Sequence, residues 1–184
     1  MINFLFNSDI FMLMWMDGLV GPLASQIFFG ITMLGKSYVV ATVCLGVIIW
    51  FWKSGRAKYI WPLIISVGGS TVTTVVLKAV IGRSRPAEVF AYYAEHSPSF
   101  PSGHATVAVA LYGFLAYFIY KNFSGWKKNI GVALLSVAIV LIGFSRLYLG
   151  VHYLSDVIGG YSVGGLWLCG STYYFNKISA KRIQ

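Results

Sequence analysis

Long apolar runs recur along this chain, and they constrain its fold more than any other feature. Runs close to the ~20 residues needed to cross the hydrocarbon of a bilayer stand at Ser37 to Trp52, Tyr59 to Ile81, Ala105 to Tyr120, Ile130 to Leu149 and Tyr153 to Phe175. Composition agrees: 58% of the 184 residues are hydrophobic and 10% are charged, and mean hydropathy is +0.74, too apolar for an ordinary soluble domain. The expected fold is all-α, a polytopic membrane helical bundle with five clear transmembrane helices. No linker rich in Ser, Pro or charge divides it, so one membrane-embedded domain is expected over 1–184, with 36–175 as the helical core.

The front of the chain is less apolar. Ile2 to Met16 and Leu19 to Leu34 carry Asn3, Asn7, Asp9, Asp17, Pro22 and Gln26, so 1–35 is expected to form an amphipathic interfacial segment or a sixth span. Met1 to Met16 lacks the basic start and small-residue cleavage site of a signal peptide and is taken as part of the mature protein. Cys44 and Cys169 lie inside apolar runs and read as small hydrophobes. Within Gly159 to Gly165, Gly160 and Gly164 have the spacing of close helix packing.

A net charge of +9 is not a nucleic-acid footprint here, because the basic residues sit in short connections and form no stripe. Lys53, Arg56 and Lys58, then Lys121, Lys127 and Lys128, then Lys177, Lys181 and Arg182 all fall on one side of the bundle. By the positive-inside tendency that side is cytoplasmic, together with the C-terminus. Gly82 to Gly103 and Gly143 to His152 then face the extracytoplasmic side of a plasma (inner) membrane, and chemistry is expected there.

Lys78 lies in an apolar span, where a charge costs at least ~2.5 kcal/mol at the helix centre, so it faces a partner or cavity, or snorkels. Arg85 follows seven residues later, about 10 Å along a continuous helix, and Pro86 disfavours helix at Arg85, so the helix is expected to end there and the guanidinium can turn toward the site. Arg83 receives no role beyond a headgroup contact. Pro101, Ser102, Gly103 and His104 open the next span, where free N–H groups and a positive dipole end suit a phosphate. As an alternative, Ser102 is only an N-cap.

His152 and Asp156 are four apart, so on a helix the carboxylate can hold one imidazole nitrogen and leave the other as a nucleophile. Arg146 offers a planar donor fork for two phosphate oxygens, or a structural salt bridge to Asp156. With the five spans placed as above, all three segments lie at the same ends of their helices. Cations, a helix start and two histidines on one side describe a phosphoryl-transfer site.

Lys78-x6-Arg85-Pro86, Pro101-Ser102-Gly103-His104 and Ser145-Arg146-x5-His152-x3-Asp156 together resemble the type-2 phosphatidic acid phosphatase superfamily. The resemblance covers Lys78 to Asp156 directly. It implies a lipid phosphatase using no metal and no cofactor, in which His152 attacks phosphorus to form a phosphohistidine and Asp156 orients it. His104 is then general acid and base, and Lys78, Arg85, Ser102, Gly103 and Arg146 hold the phosphate. Many membrane members of that family have a full six-span bundle, against a less apolar first span here.

The implied partners are a lipid phosphate substrate and membrane lipids, with no nucleic acid and no obligate protein partner. Undecaprenyl diphosphate, phosphatidylglycerophosphate, phosphatidic acid and lipid A phosphates all fit. A phosphotransferase passing the phosphoryl group to another lipid is the alternative, and an anion transporter a distant one that leaves His104, His152 and Asp156 idle. In the outward connection Ala87 to Phe100, Tyr92, Tyr93 and Phe100 either line a lipid entrance or anchor at the interface. Glu88, Glu95 and His96 either sense a headgroup or form a solvated loop, and interface and loop are the favoured readings.

Overall fold

A computed structural model describes residues 2–87 and 90–181, with side chains described over 7–87 and 90–177. Met1, Glu88 and Arg182 lie outside the described residues, as do the side chains of Asn3 and Lys181. Among the described residues eight α-helices follow one another: α1 (Ile2–Asp17), α2 (Pro22–Met33), α3 (Ser37–Lys53), α4 (Ile60–Ile81), α5 (Gly103–Val107), α6 (Phe114–Asn122), α7 (Gly125–Tyr148) and α8 (Leu154–Lys181). No strand occurs among the described residues.

Local chemistry sets several boundaries. Pro22 opens α2, where a missing N–H is no loss. α4 stops at Gly82, left-handed at φ +60, whose N–H donates to the Lys78 carbonyl. A π turn at Ala108–Gly113 joins α5 to α6. Such a turn displaces carbonyls from their usual partners, and Ser66 of α4 donates its hydroxyl to the Ala110 carbonyl at 3.0 Å.

Three expected spans coincide with helices long and apolar enough to cross a membrane: Ala57–Ile81, Gly103–Asn122 and Gly125–Tyr148. The expected span at Ser37 to Trp52 is the second limb of a pair, α2 and α3, bent by 45°. The expected span at Tyr153 to Phe175 lies on α8, 28 residues long, which among the described residues is less apolar than the other three. The reason is its packing. A Cβ on Gly160 would lie 2.6 Å from the Ser102 carbonyl, and one on Gly164 would strike the Thr106 carbonyl, so α8 presents its small residues to α5 as the glycine spacing predicts.

The two ends of the bundle are built differently. At one, Phe51, Tyr59, Phe118 and Phe175 stack with ring centroids 4.8 to 5.6 Å apart, and Arg56 lies over Trp50 at 5.1 Å. The α3–α4 and α6–α7 connections and the end of α8 meet there, which is where the basic residues were expected to gather. At the other end the buried polar and charged residues include Asp9, Ser102, Arg146, His152 and Asp156, beside a small apolar cluster of Met16, Ala105, Leu147, Tyr148 and Val157. Outward faces are lined by side chains such as Val80, Leu166 and Trp61, at least 70% exposed, as a lipid-facing surface requires.

Candidate active site

The three motif segments arrive at the polar end from different helices. Lys78 lies in the last turn of α4, and beyond Gly82 the chain runs without helix through Arg83, Ser84 and Arg85. Ser102 precedes α5, with Gly103 and His104 its first residues. Arg146 lies in the last turn of α7, His152 in the connection and Asp156 in the first turn of α8. That connection turns at Gly150, left-handed at φ +65, where a Cβ would collide with the Phe90 carbonyl; glycine is required twice over.

Lys78, Arg85, Gly103, His104, Arg146 and His152 all line one cavity of about 330 Å³. Ser102 and Asp156 are fully buried behind it, joined by a 2.9 Å bond from the Ser102 N–H to the Asp156 carbonyl. Lys78 does not snorkel to solvent: its ammonium donates to the Pro98 carbonyl and lines the cavity. Ser102 occupies the N-cap position, but its hydroxyl makes no cap bond, so the N-cap reading fails. Oγ of Ser102, Nε2 of His104 and Nε of Arg146 are buried side-chain atoms with no hydrogen-bond partner. An unsatisfied buried polar group costs ~1–3 kcal/mol, and these three all belong to the site.

His152 is held from both sides. Its Nδ1 faces Asp156 Oδ2 at 3.3 Å, and its Nε2 lies 3.3 Å from an Arg85 terminal nitrogen. A guanidinium can only donate, so Nε2 carries the lone pair and Nδ1 the proton offered to Asp156. Burial pushes His152 down to about 3; the Asp156 hydrogen bond opposes this and Arg146 and Arg85 add to it. The ring is therefore neutral, with its unprotonated nitrogen facing Arg85 at the cavity, which suits nucleophilic attack. Burial also lowers Arg85. Arg85 further donates to the Val151 carbonyl at 2.7 Å and to the Ser97 carbonyl at 2.7 Å.

Two expectations are corrected. The salt bridge considered for Arg146 and Asp156 is not formed: Arg146 donates to Thr32 Oγ1 at 2.9 Å and to the Tyr93 hydroxyl, and faces Glu95 at 3.5 Å. Asp156 instead takes the Tyr153 N–H at 3.0 Å and Arg83 at 2.7 Å. The favoured solvated-loop and interface readings also fail for Glu95 and Tyr93. Glu95 is 22% exposed, lies 3.5 Å from both Arg85 and Arg146, and lines the cavity; Tyr93 packs edge-on against Phe29. Phe100 lies against α8, where a Cβ on Gly159 would be 2.5 Å from it. His96 and Tyr92 are exposed as the loop and interface readings expect.

Sequence reasoning missed Arg83 and Asp9. Arg83 joins Asp9 and Asp156 at 2.7 Å each, and although burial opposes its charge, the two carboxylates raise it. The available signal was Asp9 itself, an acid within an apolar run, which needs a cation at membrane depth. Among the described residues no three His, Cys, Asp or Glu side chains are gathered as around a metal ion.

With this geometry in place, comparison with known proteins gives the family. Residues 59–180 match the PAP2 superfamily. Phosphatidylglycerophosphatase B of Bacillus subtilis is 35% identical over 147 residues, covering 78% of this chain and 71% of its own length. A putative undecaprenyl-diphosphatase of Escherichia coli, YbjG, is 28% identical over 82% of this chain and 75% of its own. Among solved structures, the transmembrane PAP2 type phosphatidylglycerolphosphate phosphatase from Bacillus subtilis superposes with TM-score 0.85 at 31% identity, covering 94% of this chain and 86% of that one. LpxE of Aquifex aeolicus gives TM-score 0.75 at 25% identity, covering 90% and 95%.

Proposed function

The chain belongs to the PAP2 superfamily, and on that premise we propose how its cavity releases phosphate from a lipid. It is an integral membrane lipid phosphatase working through a phosphohistidine. His152 Nε2 attacks phosphorus as the bond to the lipid oxygen breaks, and His104 delivers a proton to that oxygen. Water, activated by His104 now acting as base, then cleaves the phosphohistidine, and inorganic phosphate leaves. Asp156 holds the Nδ1 proton and balances the charge that develops on the ring. Lys78, Arg85, Arg146, the Ser102 hydroxyl and the Gly103 N–H hold the phosphoryl oxygens, where charge stabilisation supplies much of the rate.

The observation that carries this assignment is the trio of unpartnered buried atoms, Ser102 Oγ, His104 Nε2 and Arg146 Nε. Each is a group that a phosphoryl substrate engages: a hydroxyl, a proton donor and a guanidinium. Substrate candidates are a diphosphate such as undecaprenyl diphosphate, or a monoester such as phosphatidylglycerophosphate, phosphatidic acid or a lipid A phosphate, in keeping with the names of the relatives. The cavity wall includes Thr71 and Val75 of α4, and Val75 is 62% exposed on the lipid-facing side, so the lipid enters sideways from the bilayer.

The chain acts as one domain with five spans, the bent α2–α3 pair supplying the first and α8 the fifth, and α1 lying at the interface. The basic end faces the cytoplasm of the inner membrane and the cavity faces outward.

Purified protein in detergent, given lipid monophosphates and diphosphates with excess EDTA, tests the reading. Phosphate release is expected to survive chelation and to fall by about 10⁴-fold in His152→Ala. Release from no lipid by folded protein, or undiminished release by the variant, rejects the mechanism.

A further inference from the structure

Asp9 is out of keeping with its helix. On α1, Phe11, Met14 and Trp15 are 70%, 64% and 52% exposed, as lipid contacts are, whereas Asp9 is 3% exposed. All of its partners lie around the catalytic pair. Oδ1 accepts the Ser155 N–H at 2.8 Å, and Oδ2 accepts the Ser155 hydroxyl at 2.6 Å and one Arg83 amino group at 2.7 Å. The other Arg83 amino group donates to Ser155 Oγ at 2.6 Å and to Asp156 Oδ1 at 2.7 Å. The guanidinium lies over the Tyr153 ring at 4.3 Å.

This arrangement has a mechanical and an electrostatic side. Asp156 Oδ2 faces His152 and also accepts the Tyr153 N–H, while Oδ1 is tied to Arg83. With Oδ1 free, one of the two restraints on rotation about the terminal bond is lost and the carboxylate's aim loosens. A guanidinium paired with Asp156 alone would also neutralise the charge that must balance the phosphohistidine. Asp9 shares that guanidinium and leaves Asp156 more of its charge. The Ser155 N–H is one of the first-turn donors of α8 that no helix carbonyl satisfies, and Asp9 supplies the missing acceptor from another helix. We propose that Asp9 and Arg83 are positioning residues for the His152–Asp156 pair, so that α1 takes part in the chemistry and is not only a contact with lipid.

The proposal rests on the phosphohistidine reading above, and neither residue is among the groups lining the cavity. Two kinetic constants separate it from the alternatives, measured in detergent on a short-chain lipid phosphate, with folding checked by circular dichroism. Arg83→Gln is expected to lower kcat by about 100-fold and Asp9→Asn by about 10-fold, with KM changed by no more than about threefold. Arg83→Lys restores part of the loss, because a cation returns between the carboxylates. The double variant is no slower than Arg83→Gln alone, since Asp9 acts through Arg83.

An unchanged kcat in folded Arg83→Gln overturns the proposal. A raised KM at unchanged kcat also overturns it, by making Arg83 a phosphate-binding group. Should Arg83→Gln not fold, Asp9→Asn carries the test alone, and an unchanged kcat there is equally fatal. Activity retained by His152→Ala would instead defeat the underlying mechanism, so the two failures are distinguishable.

Discussion

The aromatic end and the polar end of this bundle are buried by opposite means. Around Phe51, Tyr59 and Phe118, apolar rings fill space and need only shape. Around Arg146, His152 and Asp156, fully buried charged and polar groups need specific partners, and several atoms have none. The lesson is a division of labour along the helix axis: one end is satisfied as it stands, while the other is left incomplete for an anion to finish.

Arg146→Ala tests that division with the largest expected effect. It removes a fully buried donor and leaves Glu95 facing Arg85 alone, and kcat/KM on a lipid phosphate is expected to fall by about 10²–10³-fold. A loss below about tenfold would break the assignment of the polar end to phosphate. Phe51→Ala probes the other end. Truncating this wholly buried ring is expected to cost about 3 kcal/mol in a detergent unfolding titration, while kcat per folded molecule stays within about twofold. A specific loss of kcat there would show that the two ends are coupled.

A third effect concerns acid. Because His152 is lowered from 6.5 to about 3 in the folded chain, the unfolded state binds a proton more readily over that window. Stability therefore falls as pH drops from 6.5 toward 3, and is insensitive to this group above 6.5. Nitrogen-15 spectra of the histidine rings are expected to show His152 neutral at pH 5, and a protonated ring would contradict the buried geometry.

The motif residues are legible in the sequence because each segment is short and its spacing reflects local backbone geometry: Lys78 to Arg85, Ser102 to His104, Arg146 to Asp156. That they lie on one side follows from alternating spans, and the cavity confirms it. Pairings between segments were not legible. Arg83 lies two residues from Arg85 and carries no mark telling it to seek Asp9 and Asp156 more than 70 positions away on either side. Glu95 was hidden for a related reason, since a loop acid reads as solvated until the fold brings two arginines beside it. The modest apolarity of α8 has its origin in packing too, because glycines that lower hydropathy are the contact surface with α5.

The π turn at Ala108–Gly113 lies between His104 and Phe118, and so between the two ends. A widened turn holds one residue more than a regular helix needs, which sets the phase of the site end against that of the aromatic end. Deleting that extra residue would let the span close into a regular helix with its flanking turns nearly in their present phase. A deletion in the regular turns beside it would instead rotate one end by about 100° relative to the other. The span could then seat His104 or Phe118 but not both. For this stretch of chain, length is a stricter constraint than residue identity, and a lost codon is worse than a changed one.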